Sequence, residues 1–262
     1  MISISSAQLD TWLALFIFPL TRILGLLATA PVFNNASLPV RVRLIAGLAI
    51  ALAVTPVLPP MPQIPAGSWI GMVVILEQIL IGVLLGFALR IAFAAVDIAG
   101  ELIGLQMGLS FAVFFDPTSG GQTPVITEFL GLLTALIFLG MNGHLLTLTV
   151  LAESFDLLPI STKPFHAAAF SSILAWSATL FSTGLLLALP LITALLVANI
   201  ALGVLGRIAQ QLNLFAVGFP VTMIVGYLVL LLSLPFIGAA LEGIFSQGFF
   251  AMRSVMRAAA GA

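Results

Sequence analysis

Side chains able to do chemistry are few in this 262-residue chain, and they gather in one place. The segment from Val96 to Pro124 reads VDIAGELIGLQMGLSFAVFFDPTSGGQTP and holds Asp97, Glu101, Gln106 and Asp116 among apolar neighbours. Ionisable groups in such surroundings are costly in a membrane and usually functional. Asp97 and Glu101 are spaced to share a helix face, which suits a proton relay or a cation site. With no Lys or Arg matched to them, the pair suits a face turned to water or to a partner better. His144, within Asn142-Gly143-His144, is of a residue type able to carry protons, although an isolated histidine is more often a hydrogen-bonded structural residue. Asp97, Glu101 and His144 together define one candidate function, a stand-alone proton-coupled secondary transporter. Internal repeats, expected of such a transporter, are not visible. The chain has no cysteine, which excludes disulfides and thiolate chemistry. Its histidines, His144 and His166, are too few and too far apart in sequence to suggest a zinc site. Gly-Lys-Ser/Thr, His-Glu-x-x-His and Gly-x-Ser-x-Gly motifs are missing. The expectation is therefore no enzyme activity, no cofactor and no metal.

The same segment has an unusual apolar pattern. Gly100, Gly104 and Gly108 recur at a spacing that puts them on one helix face, where another backbone can approach closely. Gly82 and Gly86 form a shorter stripe of the same kind. Asp116-Pro117 stops the helix, and Ser119, Gly120, Gly121 and Pro124 form a flexible loop. Phe111, Phe114 and Phe115 lead into that loop. Aromatics on a Gly-rich loop suit a movable apolar stopper in a pore; by composition alone they also suit a connecting loop capped by core residues. A second polar island, Gly206-Arg207-Ile208-Ala209-Gln210-Gln211-Leu212-Asn213, separates two very apolar runs. It reads as a cytoplasmic loop anchored by Arg207, or as a place where Gln210, Gln211 and Asn213 bond to neighbouring subunits.

The elements that must position these residues are helices in a membrane. Only 6% of residues are charged and 61% are hydrophobic, where a soluble domain carries roughly 25% charged residues. A soluble enzyme is excluded, and a net charge of -1 offers no basic patch for nucleic acid. Apolar runs extend over Trp12 to Pro31, Val42 to Val57, Trp69 to Val96, Phe129 to Leu151, Ile173 to Leu205 and Phe215 to Phe236. Most reach the ~20 residues needed to span a bilayer core, and helices alone satisfy their own backbone groups in lipid. The first ten residues lack Lys and Arg, so the first run reads as a retained helix rather than a cleaved signal. Pro19, Pro190 and Pro235 fall inside these runs and predict kinks. Proline-rich 56–65 and the polar break Phe155 to Pro164 mark loops. Orientation by basic residues puts Arg41 and Arg43 in the cytoplasm. Six alternating spans then leave Arg253 and Arg257 outside and put acidic 90–128 inside, so a simple six-span topology contradicts itself.

The string GELIGLQMGLSFAVFFDPTSGGQTPV, from Gly100 to Val125, resembles the signature of the FliR family of flagellar export-gate membrane proteins, relatives of the T subunit of virulence type III secretion. Four further blocks agree in order: Leu38-Pro-Val-Arg-Val-Arg-Leu44, Met141-Asn-Gly-His-Leu145, Ser154-Phe155 with Leu158-Pro159, and Leu212-Asn-Leu-Phe-Ala-Val-Gly-Phe-Pro220. Gln106-Met107-Gly108 resembles the flagellar branch; Gln210 stands where the family often has proline.

The resemblance implies an all-α fold of membrane-derived helical hairpins with kinked helices. A FliP-like part, residues 1–170 with a plug loop at 110–121, would be fused to a FliQ-like hairpin and tail at 171–262. It implies one copy per gate, assembled with FliP-like and FliQ-like subunits into a helical cone in the inner membrane of the flagellar basal body. Further partners would be FlhB-like and FlhA-like export proteins, membrane lipid and unfolded flagellar substrates, with no nucleic acid. Phe111, Phe114, Phe115, Asp116, Pro117, Ser119, Gly120 and Gly121 would form the plug. Gly100, Gly104 and Gly108 would serve helix packing, and Glu101, Gln106, Met107, Arg207, Gln211, Asn213, Phe219 and Pro220 would face the pore or other subunits. Much of such a gate is raised out of the membrane plane, which would account for the failed orientation.

Overall fold

A computed structural model describes residues 6–35, 37–59, 64–109, 124–209 and 214–261. Among the described residues the regular structure is all helix, with no strand. The helices are α1 (Ser6–Thr29), α2 (Val40–Val54, continued by a 3-10 turn at Thr55–Val57), α3 (Trp69–Gln106), α4 (Val125–Gly140), α5 (Gly143–Leu157), α6 (Ala168–Ile208) and α7 (Leu214–Ala260). The chain is thus an all-α membrane protein. Among the described residues, five helices are long and apolar enough to cross a bilayer, and α4 with α5 makes a sixth candidate. The apolar side chains of α2 are largely outward, with Val40, Ile45, Leu48 and Leu52 all exposed, as lipid or an apolar partner requires.

Three helices overrun the apolar stretches that mark them. α3 has 38 residues, α6 has 41 and α7 has 47. At 1.5 Å per residue these are about 57, 62 and 70 Å long, roughly twice a bilayer core. Hydropathy stops at Val96 and Phe236, but the backbone hydrogen bonds do not. α3 carries Asp97 and Glu101, and α7 carries Glu242, Arg253 and Arg257, on uninterrupted helix. Counting loops between six short spans therefore misplaces these charges. Pro19, Pro190, Pro220 and Pro235 also lie inside continuous helices.

The fourth apolar run, expected as one crossing from Phe129 to Leu151, is two helices broken at Met141 and Asn142. Asn142 takes a left-handed conformation, φ 58, which asparagine tolerates better than most residues. Ahead of it the Met141 N–H closes α4 onto the Ile137 carbonyl; after it the Asn142 carbonyl accepts from Leu145 and Leu146 and starts α5. The polar break also begins later than expected. α5 runs through Phe155 and Asp156, and the connection to α6 is the strap 158–167.

The chain divides into two compact units. The first comprises Met1–Ile91, Asn142–Ser177 and Phe245–Ala262. In it α1 and α3 approach backbone to backbone. A Cβ at Gly25 would lie 2.6 Å from the Ile79 carbonyl oxygen, and one at Gly82 would strike the Arg22 carbonyl. Phe18, Leu26, Leu27, Leu85, Leu151, Phe155 and Met252 are buried in this unit. The second unit comprises Ala92–Met141 and Ala178–Ile244, with Ala95, Ile103, Met107, Leu130, Phe138 and Leu191 buried.

Candidate functional site

The second unit holds both ends of segment 110–123, and its geometry begins with how α3 stops. Gly108 has φ 82, a left-handed conformation open to glycine at little cost. Its N–H donates to the Leu105 carbonyl at 3.0 Å, and the Leu109 N–H donates to the Gly104 carbonyl at 3.0 Å. This pair of bonds, closing back over a left-handed glycine, is the Schellman ending of a helix. The Met107 carbonyl, left over by the ending, lies 3.4 Å from the Thr222 hydroxyl, which also donates to Phe219.

Small residues then clamp the last turns of α3. A Cβ at Gly100 would come within 2.6 Å of the Thr127 Cα on α4. One at Gly184 of α6 would lie 2.6 Å from the Ala95 carbonyl, and one at Gly226 of α7 would lie 2.7 Å from the Met107 side chain. Met107 is fully buried on that notch. At the other end of 110–123, Pro124 stands at the N-cap of α4, and its Cβ is 4.0 Å from where a Gly104 Cβ would be. Beside it, Val125, Ile126, Phe129, Tyr227, Leu230, Leu231 and Leu234 line an apolar groove of about 250 Å³.

The expected stripe of three glycines is therefore divided. Gly100 and Gly104 lie on the helix, whereas Gly108 lies beyond its last residue and ends it. α3 stops at Gln106, well ahead of Asp116-Pro117. Phe111, Phe114, Phe115, Asp116, Pro117, Ser119, Gly120, Gly121, Gln211 and Asn213 lie outside the described residues. Asp97 and Glu101 are both exposed on α3. Gln106 is half-buried, Arg207 is exposed in the last turn of α6, and Phe219 and Pro220 are exposed on α7. His144 belongs to the first unit.

A second constellation, in the first unit, has Arg22 at its centre. Arg22 is fully buried, at 0% exposure. Its Nε and Nη2 donate to Gln78 Oε1 on α3, the former at 2.8 Å. Nη1 donates to the Ser154 carbonyl at 2.8 Å and to Ser154 Oγ at 3.1 Å, and Nη2 reaches the Leu158 carbonyl at 2.8 Å. The guanidinium lies 4.1 Å from the centre of the Phe155 ring, within cation–π range. No carboxylate is among its hydrogen-bond partners. The charge is met by carbonyls at the C-terminal end of α5, where the helix dipole is negative, and through space by the Glu77 carboxylate on α3. Gly82 makes this reach possible. It brings α3 against the Arg22 backbone, and Gln78 stands one turn earlier on the same helix face.

Residues 13–248 match the family described as Bacterial export proteins, family 1. The chain is 45% identical over 256 residues to the flagellar biosynthetic protein FliR of Pectobacterium carotovorum, covering 98% of each chain. It is 43% identical over 249 residues to that of Escherichia coli K12, covering 95% of each, and 30% identical over 248 residues to that of Bacillus subtilis, covering 92% of this chain and 94% of the relative.

The chain belongs to the FliR family of bacterial export proteins.

As a FliR-family chain it is an integral protein of the bacterial inner membrane. Arg22 is the residue that motif reading of this FliR-family sequence passes over. It sits inside an apolar run and belongs to none of the family blocks quoted above. The signal was its isolation, since a lone arginine in a membrane helix marks a partner by default. Gln78 and Glu77, the polar pair within the third run, were the matching clue.

Proposed function

We propose that this chain is a channel-forming subunit of the flagellar type III export gate, passing unfolded flagellar proteins across the inner membrane without catalysis of its own. Segment 110–121, with Phe111, Phe114 and Phe115, closes the path before secretion. The observation that carries the reading is the mounting of this segment. A glycine-stopped helix and a proline-capped helix, clamped by notches at Gly100, Gly184 and Gly226, hold its two ends on a rigid base. A loop that must open without disturbing its frame needs such a base. The membership in an export family and the naming of relatives as flagellar biosynthetic proteins support the substrate class.

In this reading one copy of the chain assembles with FliP-like and FliQ-like subunits, and FlhB-like and FlhA-like export proteins join them. Residues 1–170 take the FliP-like role and 171–262 the FliQ-like role, the latter suited to the long α6–α7 pair. Outward Glu101, Arg207, Phe219 and Pro220 face the path or neighbouring subunits. Helices about twice a bilayer in length suit an assembly raised partly out of the membrane. Deleting Ser110 to Gly120 is expected to make the closed gate conduct ions in planar bilayers or whole cells. Unchanged conductance in a fully assembled deletion complex refutes the plug role. Proton-coupled transport by the purified chain alone, abolished at Asp97 and Glu101, supports the transporter instead.

A further inference from the structure

The strap 158–167 between α5 and α6 is short of regular structure, yet it is fastened at both ends by adjacent residues of α3. At its start, the Leu158 carbonyl accepts from Arg22, whose guanidinium is held by Gln78. At its finish, the Phe165 N–H donates to Glu77 Oε1 at 3.0 Å. Between them Ile160 is buried. The next residue passes the fastening on. The His166 N–H donates to the Ala259 carbonyl at 2.8 Å, in the last turn of α7, and Gly261, with φ 79, leaves room against the His166 ring. Ser172 Oγ and Ser254 Oγ meet at 3.0 Å along the same pair of helices.

Packing alone does not call for an arginine here. A buried charge network is often replaced by apolar residues of similar volume with no loss of stability. What methylenes cannot do is donate to the Leu158 carbonyl at the C-cap of α5, add a second donor to the Ser154 carbonyl that already accepts the Leu158 N–H, and aim the chain that leaves the helix. Arginine's planar fork does both at once, bridging Gln78 on one side and Ser154 and Leu158 on the other.

We propose that Arg22 is a positioning residue for export: with Gln78 it fixes the start of the 158–167 strap, Glu77 fixes its end, and the strap holds the C-terminal turn of α7 in place. The link to export rests on the function proposed above; the geometric claim does not. Amide hydrogen exchange of the detergent-extracted complex, read beside swimming of the same strains, separates the two. In the apolar double variant Arg22→Met with Gln78→Leu, the Phe165 and His166 amides are expected to exchange about tenfold faster or more, with Ile81 to Leu85 still protected and swimming reduced. Arg22→Lys, which keeps the charge and loses the fork, is expected to fall between this variant and wild type. Unchanged exchange at Phe165 and His166 overturns the positioning role, whether or not swimming changes. Faster exchange with full swimming overturns the link to export. Should the double variant fail to fold, Glu77→Leu tests the other end: it is expected to deprotect Phe165 and His166 while leaving the Leu158 amide protected, and unchanged protection at both overturns the clamp.

Discussion

The two units solve the same problem in opposite ways. Each must fix the point where a helix ends and an irregular segment leaves it. In the first unit the end of α5 is met by added chemistry: a buried guanidinium, a glutamine and a serine donate and accept in fixed directions. In the second unit the end of α3 is met by removal of side chains. Gly108 admits a left-handed turn, and Gly100, Gly184 and Gly226 admit neighbours to contact distance. Directional bonds fix one geometry and are costly to break inside an apolar core. Notches fix position by close packing and leave no polar group behind when their neighbour moves. The difference suits the two roles proposed above, a strap that stays and a segment that opens.

The largest effect should come from breaking the polar arrangement on one side only. Gln78→Leu leaves the Arg22 charge buried with two of its five hydrogen bonds removed, and is expected to cost about 3–5 kcal/mol, read as a large drop in melting temperature of the detergent-solubilised protein. The double variant with Arg22→Met should recover part of that loss, because the buried guanidinium is gone, although Glu77 then lacks its nearby cation. Next comes filling a notch against backbone. Gly100→Val meets the Thr127 Cα, which cannot step aside, and is expected to cost about 1–3 kcal/mol. Gly226→Ala should cost less, because its neighbour is the flexible Met107 thioether; equal losses at the two positions would show that the notches do not act by shape. Gly108→Ala keeps the fold but puts a Cβ in the left-handed region, for about 1–2 kcal/mol. Smallest is Glu153→Gln. Its bidentate pair with Arg253 is exposed, 41% and 38%, so removal is expected to cost less than about 1 kcal/mol and to depend on salt.

Much of the fold was legible in the run of apolar residues, and what was not has identifiable causes. Hydropathy locates where a helix meets lipid, not where its hydrogen bonds end; hence α3 and α7 run on through Glu101 and Arg253. The α4–α5 bend is written in Asn142-Gly143, but apolar flanks on both sides disguise it as one span. Spacing alone placed Gly108 on a packing face, whereas backbone conformation makes it the stop. The candidate site divided along the same line. Small residues at regular spacing are visible in a sequence, and so Gly100 was found. The partners of Arg22 lie on three other stretches of chain, Gln78, Ser154 and Leu158, and no local pattern joins them.

In the proposed function this chain works as one subunit of a gate. The mass of the intact complex, extracted in mild detergent and measured without denaturation, tests it most directly. A single large species holding one copy of this chain with several FliP-like and FliQ-like subunits is expected. A monodisperse monomer, active in transport without those partners, would contradict it.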